Sequence, residues 1–106
     1  MAQNTEPSCE DIVRVLGALS DENRFRIVEL LATTDSELAC GAIGSRLGLS
    51  PSLVSHHLAI LETAGLIQRR KNGLWTLNRI RRKELSRHVG ALAMLAGLPA
   101  ASPPLA

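Results

Sequence analysis

The chain has 106 residues, 45% of them apolar and 21% charged, with a formal net charge of +2. That length allows one domain with a modest core, and the apolar-to-charged balance is that of a globular chain, which excludes wholesale disorder. Phe25 and Trp75 are the only aromatic residues, which excludes an aromatic stacking platform for single-stranded nucleic acid.

Residues 1–7 are polar and are expected to form a flexible N-terminus. A first helix is expected from about Ser8 to Leu19. Ser8 is a capping residue, Glu10 and Asp11 lie where the helix dipole favours acids, and Ile12, Val15, Leu16 and Leu19 recur at helical spacing. Ser20 or Asp21 restarts the chain as a cap, and Phe25, Ile27, Val28, Leu30 and Leu31 carry a second helix to about Thr33. After the polar break at Asp35 and Ser36, Leu38, Ile43 and Leu47 mark a third, shorter helix ending at Gly48. Gly48, Leu49 and Ser50 then link it to a helix starting at Pro51. A short glycine-containing link between two helices is the mark of a helix-turn-helix, with the second helix as reader.

Ser50 and Pro51 define the start of that fourth helix, because proline at the first helical position loses only a donor with no partner. Val54, Leu58 and Leu61 form its inward stripe, whereas Ser52, Ser55, His56 and Ala59 fall on other faces. Gly65 ends the helix. Strands are expected near Leu66 to Arg70 and Leu74 to Asn78, joined through Asn72-Gly73, a dipeptide favoured in two-residue hairpin turns. A last helix, about Arg81 to Ala96, carries the stripe Leu85, Val89, Leu92 and Leu95, and residues 97–106, with Pro99, Pro103 and Pro104, read as a disordered tail. The fold class is therefore mainly α with a small β-hairpin: a winged helix-turn-helix domain over residues 8–96, with four helices, two strands and a fifth helix in order. Three short helices and a hairpin cannot cover both terminal helices, so their stripes are candidates for a homodimer face.

The charge is unevenly placed. Up to Ser50, four basic residues face eight acidic ones, a balance of −4; beyond it, eight face two, a balance of +6. The second half suits a polyanion, and its concentration around the hairpin points to double-stranded DNA. No charged-then-apolar leader opens the chain and the run Val89 to Leu98 is too short to span a bilayer, so a soluble, cytoplasmic protein with no membrane partner is expected. Cys9 and Cys40 do not make a disulfide framework; they are free core thiols, a redox pair or metal ligands.

Three segments together resemble the ArsR/SmtB family of winged-helix repressors. Leu19 to Leu31 is similar to the family's second helix, with Asp21 and Arg24 ahead of Ile27 and the paired leucines. Ser50 to Leu61, with Val54-Ser55-His56-His57-Leu58, is similar to its reading helix, and Gly65 to Gly73 to its wing. The resemblance implies a dimeric repressor that releases operator DNA on an inducing signal. It implies Ser52, Ser55 and His56 as base readers, His57 as a structural residue, and Arg69, Arg70, Lys71, Asn72 and Gly73 as the phosphate-binding wing. It further implies an inverted-repeat operator with half-sites about one helical turn apart.

Departures from the family bear on the signal. Where its metal-sensing branch has Cys-x-Cys after Glu-Leu, Glu37-Leu38-Ala39-Cys40 holds one thiol, shifted by a residue. On the last helix only Glu84 and His88 stand four residues apart, too few ligands for four-coordinate zinc. The inducer is then a thiol oxidant or a soft metal ion at Cys9 and Cys40, or there is none and the regulator is constitutive. No cofactor is required for the fold. A protein-binding winged helix is the alternative; an enzyme is not expected, since Ser55 lacks a nucleophile elbow and no phosphate loop appears.

Overall fold

Ser8, Asp21 and Ser50 each accept a hydrogen bond from the amide three residues on, at 3.1, 3.1 and 3.3 Å, and so fix where three helices begin. At the first, Asp11 also accepts from the Ser8 amide, completing a capping box. The computed structural model describes residues 6–99. The element order is α1 (Cys9–Leu19), α2 (Glu22–Ala32), β1 (Leu38–Ala39), α3 (Cys40–Leu47), α4 (Pro51–Thr63), β2 (Ile67–Asn72), β3 (Trp75–Ile80) and α5 (Arg82–Leu95).

The five expected helices are present, with one correction. Leu38, expected to open the third helix, lies in β1, paired with Asn78 of β3, and Ala39 is paired with Leu77. The chain between α2 and α3 runs beside β3, and pairing satisfies backbone groups that one more helical turn would leave at an open sheet edge. The sheet therefore has three strands in the order β1-β3-β2, not two.

Each hairpin strand begins one residue later and ends two residues later than expected, so Leu66 and Leu74 lie outside the strands, and the turn moves by one residue. Asn72 pairs with Trp75, so Gly73 and Leu74 are the two turn residues. Gly73 has φ +64° and, among the described residues, no non-glycine residue is left-handed. That is the turn class in which only the first central position needs glycine, leaving Asn72 on the ladder.

The core is aliphatic. Ile27, Leu31, Ile43, Val54, Leu58, Leu61, Leu66 and Ile67 are almost wholly buried, each burial stabilising by about 1.5–3 kcal/mol. Gly65 (φ +80°) closes α4: its amide donates to the Glu62 carbonyl and that of Leu66 to Leu61, at 2.9 and 3.0 Å. This is a Schellman cap, and it turns Leu66 into the core. Gly97 and Leu98, at the start of the expected tail, cap α5 the same way on Met94 and Ala93; residues 100–106 of that tail, and 1–5 of the expected flexible N-terminus, lie outside the described residues.

The terminal helices keep apolar residues in solvent. α1 packs on α2, α4 and α5, yet Val13 and Leu16 of α1 and Val89, Met94 and Leu95 of α5 stay exposed. Among the described residues no helix is long and apolar enough to cross a membrane.

Candidate nucleic-acid interface

The thirteen residues of α4 make a rod of about 20 Å, the length that lies along a major groove. Its inner face is fixed by Val54, His57, Leu58 and Leu61, all buried, while Ser52, Ser55, His56 and Ala59 face solvent. The three expected readers thus share one exposed face. His57 is buried, with Nδ1 3.3 Å from an Arg24 guanidinium nitrogen. Arg24 in turn donates to the carbonyls of Ala18 and Gly17 at the end of α1, at 2.7 and 3.4 Å. One side chain therefore ties α1 and α2 to the back of the candidate reader.

The helix before it fits closely. A Cβ on Gly44 of α3 would stand 2.9 Å from the Leu49 carbonyl oxygen and 3.4 Å from a Val54 methyl. Glycine here lets α3 approach the turn that launches α4.

The wing divides its basic residues by strand alternation. Arg69 turns inward: its Nε donates to Asn78 Oδ1 at 3.0 Å and a terminal nitrogen lies 3.8 Å from Cys40 Sγ. Arg70 turns outward and reaches across the sheet to Glu37, with contacts of 2.7, 2.8 and 3.0 Å. Lys71 and Asn72 are exposed beside the turn and Gly73 sits in it. Of the five expected wing residues, then, two arginines already have protein partners and three stand open near the tip. The Arg70 hydrogen bonds, aided by its charge, hold the Glu37 carboxyl below its ordinary value.

Asn78 organises the inner side of this sheet. Fully buried, it accepts from Arg69 and donates to the carbonyls of Leu38 and Thr76, at 3.0 and 3.3 Å, and to Cys40 Sγ at 3.5 Å. Cys40, the first residue of α3, also faces the Thr76 carbonyl at 3.7 Å. Cys9 is exposed at the start of α1, and both thiols are free.

Glu84 and His88 do not converge on a metal position. The Glu84 carboxylate holds Arg87 at 2.8 Å, while His88 Nδ1 meets the Glu84 backbone carbonyl at 2.6 Å. Among the described residues no three His, Cys, Asp or Glu side chains cluster as a metal would require.

The basic half of the chain is also spatially split. Arg79, Arg81, Arg82 and Lys83 line a cleft of about 650 Å³ at the root of the wing, together with Asp35, Glu37 and Glu84. In the sequence these cations run on from the wing, and neither Glu37 nor Asn78 carries a motif that marks it as their partner. The available signal is phase: Asn78 shares its face of β3 with Ile80, which packs against the core.

The model of bacterial regulatory proteins of the arsR family matches residues 21–69, from the cap of α2 into the wing. A putative arsenical resistance operon repressor of Halobacterium salinarum is 41% identical over 69 residues, which are 65% of this chain and 54% of that protein. The chain thus spans about half the length of that relative. The structure of reduced HlyU from Vibrio cholerae is 32% identical, covers 81% of this chain and 88% of that one, and superposes with a TM-score of 0.63. A homodimeric winged helix-turn-helix DNA-binding domain from Mycobacterium bovis is 28% identical, covers 83% and 79%, and has a TM-score of 0.67.

Proposed function

Because the chain belongs to the arsR family of bacterial regulatory proteins, we propose that it is a homodimeric, sequence-specific DNA-binding repressor of transcription rather than an enzyme. The observation that carries this reading is the exposed face of α4, where Ser52, Ser55 and His56 stand together on a helix fixed from behind by its core face and by Arg24. In the major groove, hydroxyls and an imidazole can donate to or accept from base edges; hydroxyls discriminate poorly, so His56 and groove shape carry much of the preference. Lys71, Asn72 and the Gly73 backbone serve phosphates, with Arg70 joining once released from Glu37 and Arg69 bracing the ribbon.

The exposed apolar residues of α1 and α5 form the dimer face in this reading, supported by the homodimeric Mycobacterium domain. Two copies then read an inverted repeat with half-sites about one helical turn apart. Repression follows the name of the Halobacterium relative. Release is assigned to thiol chemistry at Cys40, with Cys9 as the candidate second thiol, since Cys40 touches both strands of the wing through Asn78, Arg69 and Thr76.

Titration of a duplex at several salt concentrations tests the DNA reading. Affinity should fall steeply and log-linearly as salt rises. Weak or salt-independent binding removes this reading and leaves a winged helix that binds protein.

A further inference from the structure

The tip of the wing is apolar. Leu74 is fully exposed and Trp75 is 64% exposed, side by side at the apex of the hairpin where neither touches the core. Single exposed apolar residues are ordinary on a protein surface. Two adjacent ones crowning a basic ribbon are a different case. No acidic residue occurs between Glu62 and Glu84, while Arg69, Arg70, Lys71, Arg79, Arg81, Arg82 and Lys83 all do. With Arg70 held by Glu37 and Arg69 turned to Asn78, the tip is an apolar point beside the open cation Lys71.

The stem is stiff and its root is fixed. Six residues of β2 pair with six of β3. At the base, Leu66 is buried in the cap of α4 and its carbonyl accepts from the Arg81 amide at 2.9 Å. The tip consequently holds one position relative to the outer face of α4. At about 3.3 Å per residue the six-residue strand carries it ~20 Å from its root. Half a helical turn, the offset from a major groove to the next minor groove, is ~17 Å.

We propose that Leu74 is an apolar wedge for the minor groove of duplex DNA, entering beside the groove that α4 occupies and opening one base step, with Trp75 packed against the groove wall and Lys71 on the flanking phosphates. The proposal rests on the DNA-binding reading above and adds to it a role in bending. A leucine side chain suits a groove about 6 Å wide and makes no hydrogen bond that would distinguish bases. Its selectivity is mechanical: steps that unstack easily, such as TA, admit the wedge, and stiff A-tracts resist it.

Trp75 is the single tryptophan of the chain, so its emission reports on the tip alone. The test uses the full chain with two end-labelled duplexes of about 30 bp, one rich in TA steps and one an uninterrupted A-tract. On the TA-rich duplex the Trp75 emission should shift to the blue and be quenched, and energy transfer between the duplex ends should rise as the DNA bends. Leu74→Ala should lower affinity for the TA-rich duplex by about threefold to tenfold and abolish the bend, bringing the preference between the two duplexes to about one. Leu74→Arg, which keeps an exposed residue at the same place, should bind both more tightly with a steeper salt dependence and move the preference toward the A-tract, whose narrow minor groove attracts arginine. Thermal melts of both variants should match the parent, since the site is fully exposed. Saturable binding with unchanged Trp75 emission, or an unaltered bend with Leu74→Ala, overturns the wedge while leaving the DNA reading intact. A shift in emission that grows with protein concentration in the absence of DNA assigns the tip to a second copy instead. Failure of the parent chain to bind either duplex at low salt overturns both readings.

Discussion

The Arg70 guanidinium is clamped by the Glu37 carboxylate across β3, Nε and a terminal nitrogen together making three contacts of 2.7 to 3.0 Å. A forked, charge-assisted pair of this kind fixes direction as well as distance. It joins the outer strand of the wing to the segment entering β1 and withholds one cation from any phosphate.

Glu37→Gln should release that cation. Duplex affinity at low salt is expected to rise about twofold to fivefold, and the slope of log affinity against log salt to steepen by about one. Salt titrations of the variant and the parent check this. An unchanged slope would mean that Arg70 does not reach a phosphate even when free.

Acid should weaken the fold through three carboxylates. Ser8 hydrogen bonds lower Asp11, the Arg24 amide lowers Asp21, and Arg70 lowers Glu37. The ordinary values are 3.8 for the aspartates and 4.5 for Glu37. A carboxyl depressed in the folded state favours folding fully above its ordinary value and loses that contribution as pH falls through the lowered one. Urea midpoints should therefore hold steady down to about pH 5 and then decline, and the decline should be shallower in Glu37→Gln. An identical acid profile in the variant would remove Glu37 from the account.

Gly44→Ala places a methyl 2.9 Å from the Leu49 carbonyl. Because the obstacle is backbone in the turn before α4, the helices must part, at a cost of about 1–3 kcal/mol. Chemical denaturation measures it. Duplex affinity should fall further than stability alone predicts, since the separation tilts the reader helix.

His56→Ala and Lys71→Ala should fail in different ways. Loss of the imidazole should relax discrimination at one base pair by about 1–3 kcal/mol with little change on unrelated sequences. Loss of the lysine should weaken all sequences alike and reduce the salt slope by about one. Binding to a selected operator and to random duplex, measured for both variants, separates the two roles. Equal loss of specificity from both would contradict the division.

Oxidation of Cys40 would add oxygen to a sulfur that already lies 3.5 to 3.8 Å from Asn78, Thr76 and Arg69. Peroxide is therefore expected to weaken duplex binding by the parent chain; if the Cys40 sulfenic acid then condenses with a Cys9 thiol, forming a disulfide and releasing water, Cys9→Ser and Cys40→Ser should each remove that response. Undiminished sensitivity in the double variant would end the thiol reading.

The helices of this chain were readable because their signals are local. Ser8, Asp21 and Ser50 are caps whatever surrounds them, and Val54, Leu58 and Leu61 mark an inner face by spacing alone. The same holds for the exposure of Ser52, Ser55 and His56, which follows from the opposite phase of that helix. What escaped reading depends on partners distant in sequence. Leu38 is a strand residue because β3 lies alongside it, forty residues on. Three consecutive basic residues, 69 to 71, look equivalent as a run, yet strand alternation sends Arg69 to Asn78 and Arg70 to Glu37. The turn slipped by one residue because Asn-Gly marks a tight turn without saying which of its positions the asparagine takes.

Arg24 holds the carbonyl end of α1 while touching His57 beneath α4. With α1 proposed in the dimer face, the joint between subunits and the rod that meets DNA share a rigid strut. Such an arrangement works as a caliper: how two copies seat against one another sets the gap between their reading edges, so base pairs inserted between half-sites would be resisted by a single guanidinium far from the duplex.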